Sequence, residues 1–354
     1  MMMFKAANGS LFYLKSSKHC FIFVTQNIDM NYNTEIGKEI DKAIFFLEQQ
    51  EAVAIPTETV YGLAANALEE KAIRKIFEIK QRPLFNPLIV HLKNITEVEK
   101  YAFDIPQIAF DLFEKFSPGP LTIILPKKDN ISDLITAGKT DVALRIPKHP
   151  LSLDLLNQLS FPLAAPSANP FGYISPSTAE HVYKLLKNKI PYILDGGPCH
   201  CGIESTVIGF QDDNAVILRL GALSVGDIQK VVPAIQIQTN ENNSPLSPGM
   251  LKQHYSPNTM MLLVDDLAKT IETYKDKNIG IISFRDFYQN INATQQVVLS
   301  ERGNLEEAAQ KLYAAFHYLD GMKLDLILAE MMPEEDLGLA INDRLLRAAA
   351  KFNP

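Results

Sequence analysis

A chain of 354 residues, 47% hydrophobic and 21% charged, carries enough apolar side chains for about two globular domains at roughly 150 residues each. Its formal net charge of -7 argues against a protein that grips nucleic acid mainly by neutralising phosphates, yet leaves room for a cleft of focused cations around a small anion. Three cysteines, Cys20, Cys199 and Cys201, make no disulfide framework and fit a reducing, cytoplasmic setting, and no apolar run nears the ~18 to 20 residues that cross a bilayer.

Residues 1–29 hold one short apolar piece, Phe21-Ile22-Phe23-Val24, behind scattered lysines. It is shorter than a signal-peptide core, and the stretch reads as an extension of little structural consequence. Ile36, Ile40, Ile44 and Leu47 then recur at helical spacing, with Thr34 or Asn33 as N-cap. Ala52-Val53-Ala54-Ile55 is a short buried strand closed by Pro56. Helical patterns follow over 71–80, 109–116, 151–159 and 178–186. Strand patterns occupy 88–90, 121–125, 142–146, 163–165, 192–194, 206–208 and 216–220. This mixture predicts an α/β domain over 30–235. Residues 236–259 change character, with Asn-Glu-Asn-Asn-Ser-Pro, Ser247-Pro248-Gly249 and His254-Tyr255-Ser256-Pro257 in succession. Such polar, Pro- and Gly-containing sequence marks a linker, although its aromatic and histidine content is unusual for a passive one. Beyond it, strands at 260–264, 279–283, 297–299 and 324–329 alternate with helices at 267–274, 304–319 and 339–351. They predict a smaller α/β domain over 260–354 with a partly parallel sheet.

Four constellations could carry chemistry. Pro56-Thr57-Glu58-Thr59-Val60-Tyr61-Gly62-Leu63 follows a strand, where α/β sheets present ligand loops. A hydroxyl-capped turn into a helix would use the same residues. Lys80-Gln81-Arg82-Pro83 puts two cations at a helix end, suited to an anion or simply to the helix dipole and water, and His91 ends the next strand. Pro166-Ser167-Ala168-Asn169-Pro170, with Ser175 and Ser177 beyond it, can hold a phosphate or carboxylate, or can serve as a rigid turn. Gly202-Ile203-Glu204-Ser205-Thr206-Val207 opens a strand on polar residues, which is odd unless a pocket needs them, and Arg219 lies on the strand after it. Cys199-His200-Cys201 lacks the wider spacing and second cluster of a zinc site, so no protein metal centre is expected. Neither G-x-x-x-x-G-K-S/T nor G-x-G-x-x-G occurs. Taken alone, the residues give an α/β protein with a cationic, hydroxyl-rich pocket and name no substrate.

In this order the constellations resemble the YrdC/Sua family of threonylcarbamoyl-AMP synthases. The likeness runs through Pro56-Leu63, Lys80 to His91, Ser117-Pro118-Gly119-Pro120-Leu121-Thr122, Arg145-Ile146-Pro147, Pro166-Asn169 and Gly202-Val207. Ser247-Pro248-Gly249-Met250 with His254-Tyr255 resembles the linker of the long, two-domain form. Ala340-Ile341-Asn342-Asp343-Arg344-Leu345 with Arg347-Ala348-Ala349 resembles the end of its second domain. The chain departs from the pattern at Gln81, where glycine is common, at Leu220, where proline often follows the arginine, and at Leu251-Lys252-Gln253 before His-Tyr.

The resemblance implies a twisted mixed-sheet domain with a concave cationic pocket, plus a smaller α/β domain. It implies condensation of L-threonine, bicarbonate or CO2, and ATP to threonylcarbamoyl-AMP and pyrophosphate, with Mg2+ on the leaving phosphates. Partner proteins would then transfer the threonylcarbamoyl group to the adenosine beside the tRNA anticodon, and tRNA would touch this chain at most transiently. Lys80 and Arg82 would be catalytic, holding phosphates or the carbamate. Ser167, Asn169, Ser205, Arg219 and Tyr255 would contact the nucleotide, while Thr57, Tyr61, His91 and Ser205 would line the threonine side. Residues 236–259 would close as a lid that excludes water from a labile carbamate. Two other readings compete. An RNA-binding module is opposed by the acidic net charge, and a carbamoyltransferase-type maturation factor would bring C-x2-C pairs that this sequence lacks.

Overall fold

The computed structural model describes residues 3–5, 11–13, 32–211, 214–238 and 254–352. In the unit Met1–Asn31, Met3–Lys5 and Leu11–Tyr13 pair antiparallel with Phe4 opposite Phe12, a pairing that the apolar pattern did not suggest. The unit Tyr32–Pro354 carries two sheets among its described residues.

The larger sheet runs Gln236–Ile237, Asn214–Arg219, Thr206–Gln211, Leu121–Pro126, Asp141–Arg145, Ile89–His91, Leu163–Ala164, Gly62–Asn66, Val53–Ile55, Tyr192–Leu194 and Glu35–Gly37. Parallel and antiparallel neighbours mix along it, as the α/β reading expects. The smaller sheet runs Met261–Val264, Leu326–Glu330, Ile279–Ser283 and Gln296–Val298, and each of its pairings is parallel. Parallel neighbours need crossovers, supplied by the helices Leu267–Thr273 and Leu305–Asp320.

Two expectations fail, each for a physical reason. The helix expected from Thr34 begins only at Ile40, and Glu35–Gly37 is a strand parallel to Tyr192–Leu194. Thr34 does not cap a helix. Its hydroxyl donates to Ile190 O at 2.6 Å and accepts from Asn188 N at 2.8 Å, which ties the segment to the sheet edge. The second concerns Gly62-Leu63-Ala64-Ala65-Asn66, which lies where the turn-into-helix alternative needed a helix but is a strand, buried throughout. Its small side chains pack on both faces, so the alternation that announces a half-exposed strand is missing.

The two halves read as separate domains share one core. Val60, Ile174, Ile203 and Tyr255 pack in the same apolar cluster as Leu312, Phe316, Ile327 and Ile341. The helix Leu305–Asp320 therefore lies directly against the loops that carry the candidate chemistry.

Candidate active site

Sheet register assembles the site. His91 stands opposite Arg145, Arg145 opposite Thr122, Thr122 opposite Val207, and Val207 opposite Arg219. Residues in one row across a sheet share a face. His91, Arg145 and Arg219 accordingly line a single cavity of about 40 Å³, with Thr57, Arg82, Ser167, Glu204, His254 and Tyr255. Backbone bonds fix the two adjoining loops edge to edge, with Leu63 N donating to Pro166 O at 2.7 Å and Ala168 N to Tyr61 O at 2.8 Å. Arg82 arrives from the end of the helix Glu70–Lys80, whose C-cap Gln81 is left-handed at φ 53°. A side chain there costs roughly 1 kcal/mol relative to glycine, which explains why glycine suits the position. Tyr255, also at positive φ (64°), closes the cavity with His254.

The wall is electropositive. Arg82 donates from Nε to Asn86 O (3.1 Å) and from Nη2 to Asn86 Oδ1 (2.6 Å) and Pro87 O (2.7 Å). Burial lowers its pKa to about 9, with Arg219 adding to the effect, so it stays charged at neutral pH. Arg219 Nη2 donates to Ser205 O at 2.7 Å and to Ser205 Oγ at 3.1 Å. Arg145 Nη2 donates to Glu58 Oε1 and Thr59 Oγ1, both at 2.8 Å. Buried polar atoms in and behind the wall that have no partner among the described residues include His91 Nδ1, His254 Nδ1, Arg145 Nε and Asn169 Oδ1. Such atoms are rare in folded proteins and suit a site that a polar ligand completes.

Comparisons with known proteins identify the family. A family model described as "Telomere recombination" matches residues 46–221, and one described as "Threonylcarbamoyl-AMP synthase, C-terminal domain" matches 223–350. Threonylcarbamoyl-AMP synthase of Bacillus subtilis is 39% identical over 94% of this chain and 98% of its own length. The chain belongs to the threonylcarbamoyl-AMP synthase family. The protein of that name from Pyrococcus abyssi is 38% identical over 86% of this chain and 92% of its own. A crystal structure of P. abyssi Sua5 complexed with L-threonine superposes with a TM-score of 0.83 at 37% identity, covering 90% of this chain and 97% of that one.

Within this family frame the expected residues divide into two layers. Thr57, Arg82, His91, Ser167, Arg219 and Tyr255 reach the cavity wall. Lys80, Tyr61, Asn169 and Ser205 are not among the residues lining it, and their polar atoms bond to the loops behind it. Lys80 is buried and its Nζ donates to Ser167 O and Asn169 O, so it grips the loop rather than the cavity. Burial, then Arg82, holds its pKa well below the ordinary lysine value. Tyr61 OH donates to Gly197 O at 2.8 Å and accepts from Gly196 N at 3.1 Å. Asn169 Nδ2 donates to Pro170 O and Tyr173 O, and Ser205 Oγ meets Thr122 Oγ1 at 2.7 Å. Sequence reasoning gave no ligand role to Arg145 or Glu204 and took His254 only as part of the closing segment. Glu204 was nonetheless visible as a carboxylate opening a buried strand. Ser247-Pro248-Gly249-Met250 and the rest of 239–253 fall outside the described residues.

The histidines on the wall predict a pH dependence. Burial, then Arg145, lowers His91 to about 3, and burial, then Arg82, Lys80, Arg347 and Arg219, takes His254 well below its ordinary value. Folded, both remain neutral where the unfolded chain takes up protons, so their stabilisation is complete above an unfolded value of about 6.5 and drains as pH falls below it. The expected slope is roughly 1.4 kcal/mol per pH unit for each neutral histidine. His181 and His317, lowered to about 4 and about 3 by burial, add to it in the same direction. Urea midpoints at pH 7.5, 6.5 and 5.5 measure the effect, and a flat profile would refute it.

Proposed function

We propose that this chain condenses L-threonine, CO2 or bicarbonate, and ATP into threonylcarbamoyl-AMP and pyrophosphate. The observation that carries the reading is the row His91, Arg145, Arg219, joined by Arg82 in one buried cationic cavity of a family member. Threonine's amine adds to the carbon of CO2 and loses a proton, and the carbamate oxygen then bonds to the α-phosphorus of ATP as the bond to pyrophosphate breaks. Negative charge stays on phosphate oxygens throughout, so positioned cations contribute more than any nucleophilic side chain. Arg82 and Arg219 would receive phosphate or carbamate oxygens, with Ser167 and Tyr255 at the nucleotide and Thr57 and His91 toward threonine. Lys80, Asn169, Tyr61 and Ser205 would act from behind by holding the loops.

Two features bear on how ATP enters and with what. At about 40 Å³ the cavity holds a few waters rather than a nucleotide, so ATP binding would require its wall to rearrange. No group of three or more His, Cys, Asp or Glu among the described residues is arranged to hold a metal, and both oxygens of Glu204 are taken by Ser175, Tyr313 and Arg344. The donor set does not make a protein magnesium site; Mg2+ would travel on the ATP phosphates. The product would go to proteins that transfer it to tRNA, in the cytoplasm. Among the described residues no helix is long and apolar enough to cross a membrane.

The test is pyrophosphate release from ATP and bicarbonate with and without L-threonine, with the adenylate quantified alongside. Release should depend on threonine and match product one to one. Release indifferent to threonine, or absent, would overturn the reading.

A further inference from the structure

The cationic cavity contains one carboxylate among its lining residues, and that carboxylate is held from the far half of the chain. Glu204 Oε2 accepts from Arg344 Nε at 3.1 Å and from Tyr313 OH at 2.9 Å, while Oε1 accepts from Tyr313 OH at 3.1 Å and Ser175 Oγ at 2.7 Å. Tyr313 belongs to the helix Leu305–Asp320 and Arg344 to the helix Asp336–Ala349. Arg344 is fully buried, and its guanidinium lies 5.6 Å from the centre of the Tyr255 ring. From Nη1 it also donates to Leu220 O at 2.6 Å, the carbonyl next along the chain from Arg219. One side chain thus touches the acid on the wall, the residue that follows a wall arginine, and the aromatic ring that closes the cavity.

The geometry points to Arg344 as a positioning residue that neutralises Glu204, so that the cavity accepts a triphosphate only while the second half of the chain is docked. This rests on ATP being the anion bound. Without Arg344, Glu204 keeps the hydroxyl donors Tyr313 and Ser175 but loses its cation, and its uncompensated charge on the cavity wall repels incoming phosphates strongly, because the low local dielectric screens little. It also carries an uncompensated desolvation cost, which is why breaking one side of a buried pair is worse than removing both. The second half of the chain then completes the pocket electrostatically and does not merely append to it.

A purely structural role and a neutralising role predict different outcomes when the acid is also removed. ATP affinity is measured by calorimetry on the full chain for wild type, Arg344→Gln, Glu204→Gln and the double variant, with unfolding midpoints alongside. Arg344→Gln should weaken ATP by at least ~10-fold, and Glu204→Gln in that background should recover at least ~5-fold of the loss. Tyr313→Phe, which removes one hydroxyl and keeps the ring, should weaken ATP about threefold, again relieved by Glu204→Gln. If Arg344→Gln does not fold, the Tyr313 pair decides by the same comparison. A double variant binding no tighter than its parent, or Arg344→Gln binding like wild type, overturns the inference. Failure of the wild-type chain to bind ATP overturns the ATP reading and the inference with it.

Discussion

Replacing Arg82 with alanine should lower threonine-dependent pyrophosphate release by about a thousandfold or more, because fixed cations carry most of the work in phosphoryl-type transfers. Arg82 is set up for that role. Asn86 and Pro87 accept from Nε and Nη2, and the Phe171 ring lies 5.9 Å from the guanidinium carbon, so the fork is oriented before any ligand arrives. Arg82→Lys keeps a charge but loses three-point anchoring, and should recover only a small part of the rate. Lys80→Ala should be nearly as damaging by another route. It strips the donor from Ser167 O and Asn169 O, so the loop carrying Ser167 loses its tether. The two lesions separate in steady-state kinetics: Arg82→Ala should act mainly on kcat, and Lys80→Ala should also raise KM for ATP. Near-normal turnover in Arg82→Ala would remove this arginine from the reaction.

Much of this site was legible in the sequence because its residues end strands or helices. His91 and Arg219 close apolar strands, and Lys80 and Arg82 bracket a helix C-cap, positions where a local pattern fixes the place of a side chain. Which of them share a wall was not legible. That depends on the pairing of His91 with Arg145 and of Thr122 with Val207, strands separated by tens of residues whose register no local period encodes. The same limit explains Lys80 and Tyr61. Their types fit a binding pocket, but long-range backbone oxygens of Ser167, Asn169 and Gly197 claim them first. Contact between the halves was equally out of reach: composition marks a linker at 236–259, whereas the shared core of Val60, Ile203, Phe316 and Ile341 is a three-dimensional fact.

That shared core brings the Gly202 loop against the helix Leu305–Asp320 of the second half. A Cβ on Gly202 would lie 2.4 Å from Ala309 O and 2.4 Å from Gln310 Cα, both backbone atoms of the helix Leu305–Asp320, and φ is +75°. Gly138 has a matching φ of +76° with nothing within 4 Å of the added atom, which isolates the conformational cost. Gly138→Ala should therefore cost roughly 1 to 2 kcal/mol in urea unfolding. Gly202→Ala should cost ~3 kcal/mol beyond that, since a helix backbone cannot yield as a side-chain tip can. The helix can relieve the clash only by retreating, and Tyr313 retreats with it from Glu204, now 2.9 Å away. ATP affinity should therefore fall in Gly202→Ala and not in Gly138→Ala. Equal stability losses at the two glycines would mean that the helix is not seated on the Gly202 loop. A large loss at Gly202 with ATP binding intact would separate the docking of the second half from the charge balance of the cavity.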